Sequence, residues 1–189
     1  MVYVVMCHPP SLALSEETPS RDTFVNVLGE PYTFPNPDEY KAQVVIFIGH
    51  DCPISNSYSK EIIRLCQEFT PKKVAFCVVY ADADLEKEKA QKHAKDFGFC
   101  CPALWDPKMT LALKWGASVK PEAVVLSSKG ELVYRGRIDN RYVDFSKRRE
   151  QVTSHDLRDA LEATLAGKPV AKPRVPAIGC DIDLPKKSK

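Results

Sequence analysis

The chain has 189 residues, 44% apolar and 28% charged, the balance of one soluble domain with decorations. Its 27 basic and 25 acidic residues leave a net charge of +2, which excludes a strongly basic nucleic-acid binder and gives no reason to expect a membrane surface as partner. Seven cysteines in a chain of this length do not make a disulfide scaffold, and no apolar run approaches the roughly 20 residues that span a bilayer.

Residues 1–22 read as an irregular N-terminal segment. Met1 to Met6 is apolar but short, lacks a preceding basic residue and is ended by Cys7-His8-Pro9-Pro10. An edge strand or ragged end is expected there rather than a signal peptide, and a cytoplasmic location is favoured on that ground. Thr23 to Leu28 and Tyr32 to Phe34 flank Gly29-Glu30-Pro31 as a hairpin. Asn36-Pro37-Asp38 reads as a turn. Val44 to Ile48 is a continuous apolar, β-branched run, the pattern of a strand buried on both faces.

A helix is expected after Cys52, with Pro53 at its first position, where the missing N–H is no loss. Ile62, Ile63, Leu65, Cys66 and Phe69 give it one apolar face, and Pro71 ends it. Val74 to Tyr80 is a second buried strand, and Cys66 and Cys77 fall in these apolar patterns as core residues. A charged helix follows from Asp84 to Phe97, with Gly98 as its stop and His93 as a surface residue. Pro107 to Gly116 is a short helix and Ala123 to Ser127 a third strand. Lys129-Gly130 turns into Glu131 to Arg135. Arg137 to Arg149 is a polar loop; Arg135, Arg137 and Arg141, clustered at the end of the hairpin, suit a thiolate or an anionic substrate but read rather as solvated charges facing Asp139 and Asp144. Thr153 or Ser154 caps a last helix that runs to Ala166 before Gly167. Residues 23–167 therefore form the domain. Residues 168–189, with four prolines, form an extended arm that carries Cys180.

Alternating strands and helices followed by a hairpin predict an α/β fold: a central mixed β-sheet with helices on both faces. Chemistry concentrates at Gly49-His50-Asp51-Cys52-Pro53-Ile54-Ser55. A cysteine between a buried strand and a helix meets free backbone N–H groups and the positive helix end, both of which favour the nucleophilic thiolate. The adjacent Asp51 opposes it, and a protonated His50 offsets Asp51.

The run VVIFIGHDCPIS resembles the active-site strand and turn of the thioredoxin superfamily, with Ser55 where dithiol members carry a second cysteine. Lys120-Pro121-Glu122-Ala123 resembles the cis-proline segment of that fold, which implies that Pro121 faces Cys52. Trp105-Asp106-Pro107, Trp115-Gly116-Ala117 and Leu132 to Asp139 resemble the redoxin branch of the AhpC/TSA type, the peroxiredoxin-like proteins. Two departures matter. The proline and the hydroxyl residue that peroxiredoxins carry before their cysteine are Val45 and Gly49 here. The hydroxyl that would hold a peroxide is therefore missing.

The resemblance implies a thioredoxin-like fold and a thiol-dependent oxidoreductase. Cys52 is its nucleophile, Ser55 and Pro121 shape the site, and no cofactor is needed. A one-thiol site needs a second thiol. An extended arm spans about 40 Å at ~3.1 Å per residue against a domain radius of gyration near ~16 Å, so Cys180 can reach Cys52 and resolve it. Cys100-Cys101 is the other candidate, read instead as packing residues at a strand entry. The partners implied are a peroxide or protein disulfide as substrate and a thiol reductant; oligomeric state is left open. Two further functions compete. One is a non-catalytic adaptor that binds peptides beside the cis-proline. The other is a soft-metal module holding Cu(I) on His50, Cys52 and Cys180, although Asn56 stands where copper-delivery relatives have their second cysteine.

Overall fold

The computed structural model describes residues 22–34 and 39–185. The expected N-terminal segment through residue 21 and the turn at Asn36-Pro37-Asp38 lie outside them. Strands β1 (Asp22–Val25) and β2 (Pro31–Phe34) form the expected antiparallel hairpin. Strand β3 (Ala42–Phe47) is buried along its whole length.

The helix expected after Cys52 is two helices, α1 (Pro53–Ser57) and α2 (Ser59–Phe69), joined at Tyr58. A single 3-10 turn, Thr70–Lys72, then leads through a left-handed Lys73 into β4 (Val74–Tyr80). Helix α3 (Lys87–Asp96) starts later than its charge pattern suggests, because Leu85 turns inward and is 4% exposed. After β5 (Ala103–Trp105), α4 (Thr110–Trp115) begins only where the Asp106 carboxylate accepts the free N–H groups of Thr110 and Leu111.

Strand β6 (Val119–Lys120) precedes β7 (Glu122–Ser127) and β8 (Leu132–Gly136). The polar loop that follows contains a small antiparallel pair, β9 (Tyr142–Asp144) and β10 (Lys147–Arg148). Helix α5 (Asp156–Leu165) starts two residues past the expected cap; Asn140 instead takes the N–H groups of Thr153 and Ser154 on its side-chain oxygen. The arm carries two short strands, β11 (Arg174–Val175) and β12 (Cys180–Asp181).

The central sheet runs β11-β8-β7-β3-β4-β5. Strands β3, β4 and β5 are parallel, β7 and β8 run against them, and β11 lies parallel to β8. Side chains alternate between the two faces. Val44, Ile46 and Ile48 join Ile62, Leu65, Phe69, Leu157 and Leu161 in one core, beneath α2 and α5. Val45 and Phe47 join Leu111, Ala112 and Trp115 of α4 in the other. Covering both faces requires the unbroken apolar β3 and β4 seen in the sequence. The architecture is the expected one, a mixed sheet between two helical layers. The trailing hairpin is not its edge, however: the arm adds β11 beyond β8, with the Arg135 and Arg137 N–H groups donating to the Pro173 and Val175 carbonyls. Among the described residues, no helix is long and apolar enough to cross a membrane.

Candidate functional site

Cys52 is the N-cap of α1 and is 1% exposed. Its sulfur accepts a long hydrogen bond from the Ser55 N–H at 3.5 Å and lies 3.2 Å from the Lys120 carbonyl oxygen. Pro53 takes the first helical position, as expected. The break at Tyr58 limits the aligned dipole behind Cys52 to five residues, so local N–H donation matters more here than a long macrodipole. Ser55, 2% exposed, accepts the Gly49 N–H on its hydroxyl oxygen at 3.1 Å. It thereby ties the end of the β3 loop to the first turn of the helix and does not reach out as a second reactive group.

Gly49 is needed for space. A Cβ there would stand 3.0 Å from Cys52 Cβ and 3.5 Å from the Lys120 side chain. A hydroxyl residue at this position would crowd Cys52 Cβ first, with the Lys120 methylenes in ordinary contact behind it. Lys120 itself is 6% exposed, with its ammonium 3.6 Å from the Asp82 carboxylate. The Lys120–Pro121 peptide bond is cis.

Cys180 is bonded to Cys52 as a disulfide, with Cα atoms 6.2 Å apart, within the range a disulfide spans. The arm is brought there as a strand: β12 pairs antiparallel with β6, Cys180 opposite Lys120 and Asp181 opposite Val119. Gly179 lies flat on the Lys120–Pro121 peptide, where a Cβ would fall 2.2 Å from the Lys120 carbonyl oxygen. Beyond the disulfide, Ile182 donates its N–H to Ser118 and buries its side chain in the α4 core, 5% exposed. That burial is worth roughly 1.5–3 kcal/mol.

A hydrogen-bonded chain steadies the loop before Cys52. Asn56 donates from Nδ2 to the His50 carbonyl and accepts on Oδ1 from His93 Nε2 at 2.9 Å. His93 Nδ1 lies 2.7 Å from the Tyr80 hydroxyl, which donates to it when the imidazole is neutral. His93 is buried, 9% exposed, which corrects its reading as a surface residue. Burial pushes its pKa below 6.5, with His50 adding to that and Asp96 and Asp51 opposing. Between the folded and unfolded pKa values the unfolded chain binds the extra proton, so stability is lost as pH falls below about 6.5. Glu68, held down to about 2 by Arg158, contributes stability above its ordinary 4.5 and loses it only as pH falls toward 2. Cys66, lowered to about 6, also titrates between pH 7 and 5, so the histidine is isolated by comparison with its own variant over that interval. Urea titrations at both pH values should show a larger loss for the wild type than for His93→Gln; equal losses would remove this role.

Arg141 faces Asp139 as expected, but Arg135 within β8 and Arg137 and Arg141 after it all reach internal partners and are not solvated charges. Arg135 donates to the Trp115 and Gly116 carbonyls and faces Glu122 at 3.5 Å. Arg137 pairs with Asp156 at 2.8 Å. Arg141 donates to the Ser57 carbonyl and to Asp139, and lies over the Tyr58 ring. Asp139, 2% exposed, also accepts the Tyr58 hydroxyl at 2.7 Å; burial first, and then this bond, push the Tyr58 phenol well above its usual range. Each guanidinium is committed to an internal partner. Cys100 is exposed and Cys101 half-buried, so only Cys101 packs. Cys66 and Cys77 are buried, as expected. Among the described residues, no three His, Cys, Asp or Glu side chains converge to hold a metal ion, so His50 does not join Cys52 and Cys180 in a copper-type set.

Cys52, Ser55, Pro121 and Cys180 thus meet at one place. Lys120, Gly179, Asn56 and His93 belong there too. Gly179, directly before Cys180, carried a visible signal of close approach; Lys120 and Asn56 were flagged by the family patterns around them, and His93 carried no signal.

No family model matches the chain, and no curated protein does. Solved structures do. A hypothetical protein from Sinorhizobium meliloti is 24% identical with a TM-score of 0.77, over 88% of this chain and 92% of that one. An uncharacterised conserved protein from Geobacillus kaustophilus is 27% identical with a TM-score of 0.75, over 90% and 91%. A putative thiol:disulfide interchange protein DsbE from Chlorobium tepidum is 14% identical with a TM-score of 0.61, over 77% and 94%. With the mixed sheet and the cis-proline segment beside Cys52, these likenesses show that the chain has the thioredoxin-like fold.

Proposed function

We propose that the protein is a thiol–disulfide oxidoreductase whose redox pair is Cys52 and Cys180. The observation that carries this reading is the disulfide between them, made by a strand of the arm paired to β6 beside Pro121. Thiol-disulfide interchange proteins among the structural neighbours support it.

In the reduced protein, the Cys52 thiolate attacks one sulfur of a substrate disulfide. A mixed disulfide forms and the other substrate sulfur leaves as a thiolate. Cys180, deprotonated, then attacks the Cys52 sulfur. The second substrate thiolate leaves, and the Cys52–Cys180 bond closes. A thiol reductant returns both cysteines to thiols. The substrate class is a protein disulfide rather than a peroxide: residue 49 offers no hydroxyl to hold a peroxide, and Cys52 is covered by an extended peptide strand. Ser55 N–H serves the thiolate, Ser55 Oγ holds the turn, and Pro121 sets the approach of the strand.

Equilibration with graded ratios of reduced and oxidised glutathione, followed by acid quench and peptide mapping, tests the pair. The Cys52–Cys180 linkage should appear in one two-electron transition. Free Cys52 at every ratio would sink the reading and leave the peptide-binding adaptor.

A further inference from the structure

The arm does more than deliver Cys180. With the arm in place Cys52 is 1% exposed, so a substrate disulfide reaches the Cys52 sulfur only after the arm has lifted. The substrate then meets the surface that the arm has left, and the arm itself shows what that surface accepts. Strand β12 is the one strand paired with β6 among the described residues. Without it β6 offers a bare edge, to which an extended peptide pairs through its backbone.

The seats of residues 178–182 give that edge a sequence preference. Ile178 shares a cavity of about 10 Å³ with Tyr58, Pro121, Ile138 and Tyr142, room for no more than one water molecule beside the apolar side chain. Gly179 is buried against backbone, where a Cβ would run into the Lys120 carbonyl and the Pro121 nitrogen. Cys180 stands opposite Lys120 with its sulfur on Cys52. Asp181 is exposed, so that position is free to vary. Ile182 donates its N–H to the Ser118 carbonyl at 2.8 Å and enters the α4 core, 5% exposed.

We propose that the substrate protein presents its disulfide on an extended segment of this same pattern, apolar-Gly-Cys-any-apolar, which takes the place of residues 178–182 on β6; the proposal rests on the redox reading of Cys52 and Cys180 given above. The Cys52 thiolate attacks the substrate cysteine within that segment. The substrate S–S bond breaks and its other sulfur leaves as a thiolate. Cys180, returning as a thiolate, attacks the Cys52 sulfur; the bond from Cys52 to the substrate breaks and the substrate cysteine leaves as a thiolate. The two strands compete for one edge, so closure of the internal disulfide also evicts the product.

The test uses full-length Cys180→Ser, which traps the first adduct, and a peptide matching residues 176–184 with its cysteine joined to glutathione. Attack on the peptide sulfur leaves the peptide on Cys52. Attack on the glutathione sulfur leaves glutathione there and makes no use of β6. Intact mass separates the two. The peptide adduct should dominate, and its ratio to the glutathione adduct should fall at least about tenfold in peptides carrying the Gly179→Val or the Ile182→Asp change, since each loses a seat. Equal ratios for all three peptides would overturn the proposal and leave the redox reading standing. No adduct of either kind would overturn both. Adding Gly179→Val to the Cys180→Ser chain should speed capture of the unchanged peptide, because the arm no longer holds β6; an unchanged rate would overturn the shared seat. If that double variant fails to fold, the peptide series decides the matter alone.

Discussion

Cys180→Ser is expected to slow turnover with a protein disulfide by about a thousandfold, while the first attack by Cys52 proceeds. In the folded chain, Cys180 is held by β12 with its Cα 6.2 Å from that of Cys52. Such positioning converts a bimolecular attack by free thiol into an intramolecular one, with effective molarities that reach about 10⁵ M or more when orientation is ideal. A strand of the arm held on β6 delivers less than this, but far more than a dissolved thiol at millimolar concentration. The serine variant should therefore accumulate a mixed disulfide on Cys52, visible as an intact-mass adduct after mixing with oxidised glutathione. Cys52→Ser should give neither adduct nor turnover. Wild-type rates in Cys180→Ser would show that resolution comes from outside the chain.

The second large effect concerns stability. Cys52 and Cys180 are 128 residues apart in sequence. Closing so long a loop removes conformational freedom from the unfolded chain worth about 4–5 kcal/mol in the chain-entropy account. For a domain of this size each kcal/mol shifts the melting temperature by about 2–4 °C. Reduction should thus lower the melting temperature by about 10–20 °C. Gly179→Val should remove that sensitivity. Its Cβ would overlap the Lys120 carbonyl oxygen, with only 2.2 Å available, so β12 cannot pair with β6 and the disulfide cannot close. The wild type and this variant, melted with and without reductant, separate the effect of the bond from that of the arm. Equal melting temperatures for oxidised and reduced wild type would refute the argument.

The continuous apolar runs of β3 and β4, the Cys-Pro step at the head of α1 and the turns at Gly98 and Lys129-Gly130 were legible by themselves, because alternation, capping and turn chemistry are local. The same holds for the mixed sheet with helices on both faces. The pairing of Cys52 with Cys180 was open to a reach argument, yet reach permits many contacts. Only the tertiary structure supplied the strand of the arm on β6, the contact of Gly179 with the cis peptide and the anchoring of Ile182 in the α4 core. Errors fell where a polar residue found a distant partner. His93 reads as a surface residue until Tyr80 and Asn56 are seen to satisfy both ring nitrogens. Arg137 reads as solvated until Asp156 is placed against it, and Arg141, expected to face Asp139, also reaches the Ser57 carbonyl and the Tyr58 ring. The physical reason is common to these cases. Apolar periodicity is written into neighbouring residues, whereas the partner of a buried polar group is chosen by the packing of elements far apart in the chain.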